Sequence, residues 1–156
     1  MPLTIREERP DQPEIVSLLE TRDAYMAALY PAESNHALDL DGLLAPAVTF
    51  LVARRDEAAV GCGAVVHDGN GAGELKSMWV DPTNRGTGLG RMLLEAVERS
   101  ARAQGLSLLR LETGIHQPEA LGLYRAAGYR EIGPFGDYRP DPLSVFMAKP
   151  LAAGPA

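Results

Sequence analysis

The first part of the chain shows the apolar spacing of a strand followed by a helix. Residues 3–7 are suited to a short first strand. Between Pro13 and Tyr30, apolar residues recur every three to four positions, which is the spacing of one helix face. Pro31 ends this helix because proline lacks a backbone donor and restricts the residue before it. The following residues, 32–46, are predicted to form a loop with one short helical turn.

The middle of the chain predicts three consecutive antiparallel strands. Val48–Ala53 and Ala58–Val66 are apolar segments joined by a charged turn at residues 54–57, which is a hairpin pattern. The turn Asp68-Gly69-Asn70-Gly71 then leads into a third strand, Glu74–Val80.

The second half alternates helices with strands. A long helix is predicted from Leu89 to its glycine cap at Gly105, and Pro118 and Gly128 bracket a shorter helix. The strands of this half are predicted at residues 106–113, 129–132 and 143–148. A strand–helix–strand crossover predicts that residues 74–80 and 106–112 pair in parallel. The order indicates a single α/β (α+β-like) domain over residues 1–150, with a mixed sheet and a disordered tail at 151–156.

Composition excludes several classes of protein. The 156 residues suit one domain, and 46% of them are hydrophobic. A net charge of −6 opposes non-specific binding to nucleic acid or to an anionic membrane. The single cysteine, Cys62, cannot form an intrachain disulfide, and the longest core-like apolar segment, 58–66, is shorter than the ~20 residues that span a bilayer. We therefore expect a cytoplasmic protein without nucleic-acid or membrane partners, and the His and Cys spacing predicts no metal site.

The segment from Leu75 to Arg91 has the pattern of an anion site. A strand ends, Arg85 follows, and glycines at 86, 88 and 90 open a long helix whose first amides lack intrahelical partners. The phosphate-binding pattern GxxxxGK[ST] is absent, and the spacing differs from the dinucleotide pattern GxGxxG.

Arg85-Gly86-Thr87-Gly88-Leu89-Gly90 resembles the coenzyme A pyrophosphate signature of the GNAT superfamily of N-acetyltransferases. The stretch from Gln117 through Tyr124 to Tyr129 is similar to a second motif of that family, with Gln117 at the usual Asn position. The resemblance implies an acyl-CoA N-acyltransferase fold, a sheet of about six to seven strands, and acetyl-CoA as cosubstrate with no metal. It implies that the coenzyme is bound by Met78, Trp79, Val80, Arg85, Gly86, Thr87, Gly88, Leu89, Gly90, Arg91 and Gln117.

Acetyl transfer to an amine needs a base, donors for the thioester carbonyl and an acid for the leaving thiolate. The resemblance implies that Tyr124 is the general acid, although a tyrosine on an apolar helix face can also be a core residue. Glu74 is the first candidate base, and its alternative is a solvated strand end. Glu112 is the alternative base and a candidate for substrate binding, unless it pairs with a nearby arginine. His36, in a loop where the family binds acceptors, is the other candidate for substrate binding. Cys62 is expected to be a small buried residue.

We expect an N-acetyltransferase that moves the acetyl group directly to a primary amine of a small molecule, an amino acid or a peptide. A non-catalytic acyl-CoA-binding or sensing module on the same fold is the alternative. A hydroxyl acceptor or a longer acyl chain also stays open, as does a homodimer.

Overall fold

A computed structural model describes residues 2–152 of the chain. Neighbouring strands of its single sheet lie in the order β1-β2-β3-β4-β5-β7-β6, and each pair is antiparallel except β4 with β5. The predicted parallel pair is therefore confirmed. The seven strands are β1 (Leu3–Glu7), β2 (Val48–Arg55), β3 (Ala58–His67), β4 (Ala72–Val80), β5 (Leu108–Gly114), β6 (Arg130–Ile132) and β7 (Ser144–Pro150).

Helices cover both faces of the sheet. They are α1 (Pro13–Leu29), α2 (Leu40–Leu43), α3 (Leu89–Ala103) and α4 (Pro118–Ala126). Helix α1 packs Ile15 and Leu19 against Phe50, Val52 and Cys62, whereas α3 packs Val97 with Val65 and Leu75 on the opposite face. None of the helices in the described range is long and apolar enough to cross a membrane.

Close contact between β3 and α3 depends on a glycine. A Cβ built on Gly63 would lie 3.1 Å from the Met78 sulfur and 3.3 Å from a Val97 methyl, so a larger residue would force the helix outward. On the other face of β3, Cys62 and Ala64 are fully buried under α1. Small residues on both faces therefore let the two helices approach the same strand.

The second half of β4 departs from regular pairing. Parallel pairing with β5 runs from Ala72 to Leu75 and is not continued in the described register. On the other side, Cys62 pairs with Trp79 but Ala64 pairs with Lys76, so β4 contains an extra residue, and Ser77 has a positive φ of 56°. This β-bulge turns the end of β4 away from β5 and opens a cleft between the two strands.

The C-terminal part of the chain differs from the prediction in its boundary, and its last two strands are reversed in the sheet relative to their order in the chain. Strand β7 lies between β5 and β6 because residues 133–143 carry the chain back across the sheet. Leu151, assigned to the tail, is buried in the core, and its N–H donates to the Ser107 carbonyl at 2.8 Å. The core thus extends past the expected boundary at residue 150, and residues 153–156 of the predicted tail lie outside the described range.

Candidate active site

Two cavities meet in the cleft between β4 and β5. The groove, with a cavity volume of about 520 Å³, runs from Met78–Val80 across the glycine loop at 84–91 to α4. The pocket, of about 70 Å³, lies between α1, residues 34–37, β4 and β5. Met78, Gln117 and Tyr124 line both cavities, so they form the boundary between them.

The glycine loop presents unpaired backbone donors to the groove. Gly86 and Gly88 have positive φ angles of 77° and 82°, which side chains rarely adopt, and Gly88 is the N-cap of α3. Among the described residues, the amides from Gly86 to Arg91 make no hydrogen bond to another backbone carbonyl. Such amides, together with the positive end of the helix dipole, suit a phosphate group.

All the residues predicted to hold the coenzyme line this groove except Thr87. The hydroxyl of Thr87 donates to the Asn84 carbonyl at 2.6 Å, a contact that ties the loop together. Asn84 itself lines the groove and was not predicted.

Arg85 lies over two aromatic rings at the edge of the groove. Its guanidinium carbon is 4.8 Å from the centre of the Trp79 ring and 5.4 Å from that of Tyr25. Its Nε–H donates to the Val80 carbonyl at 3.3 Å, and its terminal Nη groups make no hydrogen bond within the described residues, so they are the donors available to an anion. Trp79 is 4% exposed and packs in the core, and it also forms part of the groove wall.

Tyr124 stands where the groove and the pocket join. Its ring packs edge-on against Tyr129, with 5.8 Å between ring centres, and the residue is 6% exposed. Its hydroxyl makes no hydrogen bond within the described residues and is not among the fully buried polar atoms, so it is open to the cavities that the residue lines. Burial raises the pKa of Tyr124, so the phenol keeps its proton at neutral pH.

The two candidate carboxylates occupy different surroundings. Glu112 lines the pocket and accepts a hydrogen bond from Ser144 at 2.8 Å, and burial raises its pKa. Glu74 lines neither cavity. It accepts a hydrogen bond from the Tyr138 hydroxyl and pairs with Lys76 at 3.2 Å. The structure therefore brings Glu112, and not Glu74, beside Tyr124 in the lining of the pocket.

The loop that carries His36 closes the outer side of the pocket. His36 lines the pocket, its carbonyl accepts a hydrogen bond from Lys76 at 2.8 Å, and its ring meets Tyr138 edge-on. Ser34 donates to Asp141 at 2.6 Å. These contacts hold residues 34–37 against the loop that precedes β7.

Helix α1 supplies pocket residues that the sequence analysis missed. Arg22 and Met26 line the pocket from one face of the helix, four residues apart, and Tyr30, the C-cap residue directly after the helix, lines it as well. The Tyr30 hydroxyl donates to Gln117 at 3.2 Å and accepts from the His116 amide at 3.0 Å. The four-residue spacing is visible in the sequence, but a single arginine on an otherwise apolar helix face does not by itself indicate a site.

Cys62 is fully buried and donates to the Ser77 carbonyl at 3.2 Å. Burial raises the pKa of this thiol to about 12, so it is not a nucleophile at neutral pH. Within residues 2–152, no group of three or more His, Cys, Asp or Glu side chains is placed to hold a metal ion.

Comparison with known proteins identifies the family. The model of the Acetyltransferase (GNAT) family matches residues 14–129. The chain belongs to this family. It is 55% identical over 150 residues to a protein of Azospirillum brasilense named IAA acetyltransferase, covering 96% of this chain and 98% of the relative.

Solved structures agree with this membership. A candidate acyl-CoA N-acyltransferase from Klebsiella pneumoniae superposes with a TM-score of 0.82 at 41% identity, covering 96% of this chain and 98% of that one. The PaiA N-acetyltransferase from Thermoplasma acidophilum, solved in complex with coenzyme A, shares the fold at 16% identity, with a TM-score of 0.74 and coverage of 96% and 99%. The GNAT protein described here has the acyl-CoA N-acyltransferase fold and is an acyltransferase.

Proposed function

We propose that this GNAT protein transfers an acetyl group from acetyl-CoA to a primary amine of a small molecule, an amino acid or a peptide. The observation that carries the proposal is the unpartnered hydroxyl of Tyr124 at the junction of the groove and the pocket. A leaving thiolate at that junction needs a proton donor, and a phenol of pKa above 10 is still protonated at neutral pH and can supply the proton as the carbon–sulfur bond breaks.

The groove is suited to the coenzyme. The free amides that open α3 and the guanidinium of Arg85 would hold the pyrophosphate, and Arg91 adds a second positive charge. The unpaired edge of β4 beyond Leu75 offers backbone donors and acceptors to an extended chain such as pantetheine. Acetyl-CoA, when bound, supplies the activated acetyl thioester.

We propose Glu112 as the general base. An amine with a pKa of ~10.4 is mostly protonated at neutral pH and must lose a proton before it attacks. Glu112 lies in the pocket wall, and its raised pKa makes it a stronger base than an exposed glutamate. Glu74 is the alternative, acting through water, but its engagement by Lys76 and Tyr138 favours Glu112.

The reaction then proceeds with both substrates bound. Glu112 takes the first proton of the ammonium group and passes it to solvent, and the neutral amine nitrogen then bonds to the acetyl carbon, whose carbonyl becomes an oxyanion. As the oxyanion collapses and the carbon–sulfur bond breaks, the nitrogen gives its second proton to Glu112. Tyr124 gives its proton to the departing sulfur and regains one from solvent. Backbone N–H groups around the bulge at Met78 would polarise the thioester carbonyl.

Thiol release from acetyl-CoA tests the proposal. We would measure it with a panel of amines, amino acids and peptides, and also with IAA, because of the name of the Azospirillum relative. Direct transfer predicts that no thiol is released until an acceptor is added. A burst of thiol equal to the enzyme without acceptor would contradict direct transfer. Tight binding of acetyl-CoA without release for any acceptor would favour the sensing module. A cytoplasmic location and a homodimer stay predictions.

A further inference from the structure

Arg22 brings an incompletely paired guanidinium into the pocket. Its side chain is 13% exposed, and its Nε is buried with no hydrogen-bond partner among the described residues. Its ion pair is long, 3.4 Å from Nη1 to the Asp23 carboxylate, and Asp23 is 59% exposed. The edge formed by Nε and Nη2 has the geometry to bind both oxygens of a carboxylate, and neither atom makes a hydrogen bond or an ion pair within residues 2–152.

The other charged groups of the pocket make Arg22 distinctive. The ammonium of Lys76 is already engaged by Glu74, Tyr138 and the His36 carbonyl. Glu112 lines the same pocket, yet it forms no ion pair with Arg22 within the described chain. The pocket therefore contains one available positive charge, that of Arg22, and one negative charge, that of Glu112.

Arg22 does not belong to the coenzyme groove. The arginines that line the groove are Arg85 and Arg91, beside the glycine loop, whereas Arg22 lines only the pocket. Tyr124, at the junction where transfer is proposed, lines the same pocket, and the positive charge of Arg22 acts to lower the pKa of its phenol. A group bound to Arg22 would therefore lie on the acceptor side of that junction.

We propose that the acceptor is a primary amine that carries a carboxylate, as a free amino acid does, and that Arg22 binds the carboxylate while Glu112 receives the amine. This inference rests on the proposed function and narrows its acceptor class. A buried Nε–H without a partner is unfavourable, and a carboxylate that binds Nε and Nη2 together would satisfy it with charge-assisted hydrogen bonds. The pairing also orients the amine, because the two charges of the ligand meet opposite charges of the pocket.

Binding to the CoA-saturated protein tests the proposal independently of turnover. Isothermal titration would compare the twenty amino acids with their C-terminal amides, which keep the amine and lose the negative charge. We expect at least one amino acid to bind tenfold or more tightly than its amide. Arg22→Met, which keeps the apolar stem, should abolish that preference and leave acetyl-CoA affinity within twofold. Arg99→Met, which removes an exposed charge of α3, is the matched control and should change neither.

Two results would overturn the proposal: no amino acid binds more tightly than its amide, or the preference survives in Arg22→Met. If Arg22→Met does not fold, Arg22→Lys is used in its place. Lysine keeps the charge but cannot make the two-point contact of a guanidinium, so the preference for the amino acid over its amide should fall at least threefold. An unchanged preference would contradict the role of Arg22 in binding the carboxylate. Thiol release with the same compounds separates the two claims. A carboxylate preference that depends on Arg22, without thiol release, would support this binding site and contradict the proposed transferase activity.

Discussion

Gly114 of β5 packs directly against the side chain of Tyr30 in the pocket wall, and replacing this glycine with alanine should destabilise the protein. The new Cβ would lie 1.9 Å from the Tyr30 hydroxyl oxygen and 2.1 Å from its Cζ, far inside van der Waals contact. Tyr30 is 8% exposed and its ring is rigid, so either the ring or β5 must move by about 1 Å or more.

The magnitude follows from what that movement disrupts. Overpacking of a buried site costs about 1–3 kcal/mol. A displaced Tyr30 hydroxyl also loses its hydrogen bonds with Gln117 and His116, at about 0.5–1.5 kcal/mol each. Together these terms predict a loss of about 2–6 kcal/mol in the free energy of unfolding.

Urea unfolding measures this loss. With a denaturant slope of about 1–3 kcal/mol per molar, the midpoint should fall by about 0.7 M or more. Gly122→Ala is the matched control, since nothing lies within 4 Å of its Cβ in α4, and it should stabilise the protein by about 0.5–1 kcal/mol. In a Tyr30→Leu background, Gly114→Ala should cost less than half as much. A Gly114→Ala protein within about 0.5 kcal/mol of the wild type would refute the reasoning.

Two further predictions concern the chemistry. Glu112→Gln should lower kcat/KM about 10²–10⁴-fold, as expected for loss of a general base. The wild-type rate should fall as the pH drops through the pKa of Glu112, which is raised above its ordinary value of 4.5, because protonation removes the base. A pH profile of both proteins checks this dependence. A loss of kcat/KM below tenfold in Glu112→Gln would shift the role of base to Glu74. Cys62→Ala should keep thiol release within twofold of the wild type and lower stability by about 1 kcal/mol, measured by urea unfolding; a strong loss of release would point to an acetyl-cysteine route.

Local signals in the sequence account for most of the fold. The crossover between β4 and β5 was predictable because a glycine-capped helix separates two apolar strands, and two strands joined in this way run parallel. The predicted ends of some strands are wrong where a turn is shorter than its charged residues indicate. The hairpin turn, for example, is confined to Asp56 and Glu57, which both have positive φ, so both flanking arginines belong to β2.

Long-range packing accounts for what was missed. The position of β7 between β5 and β6 depends on which edge of the sheet is free, and no local pattern encodes that. The β-bulge at Ser77 could not be predicted from the sequence either, since serine gives no signal for a positive φ. Among the site residues, Tyr124 and the glycine loop carry family motifs, whereas Arg22 and Tyr30 reach the pocket only because α1 packs across the end of β4.

The central claim is that Tyr124 donates the proton that lets the thiolate leave, and Tyr124→Phe tests it most directly. Because the hydroxyl makes no hydrogen bond within the described residues, its removal should leave stability within about 1 kcal/mol of the wild type. The account predicts that thiol release with an active acceptor falls about 10²–10⁴-fold while the Kd for acetyl-CoA stays within twofold. A Phe variant that releases thiol at the wild-type rate would contradict the account.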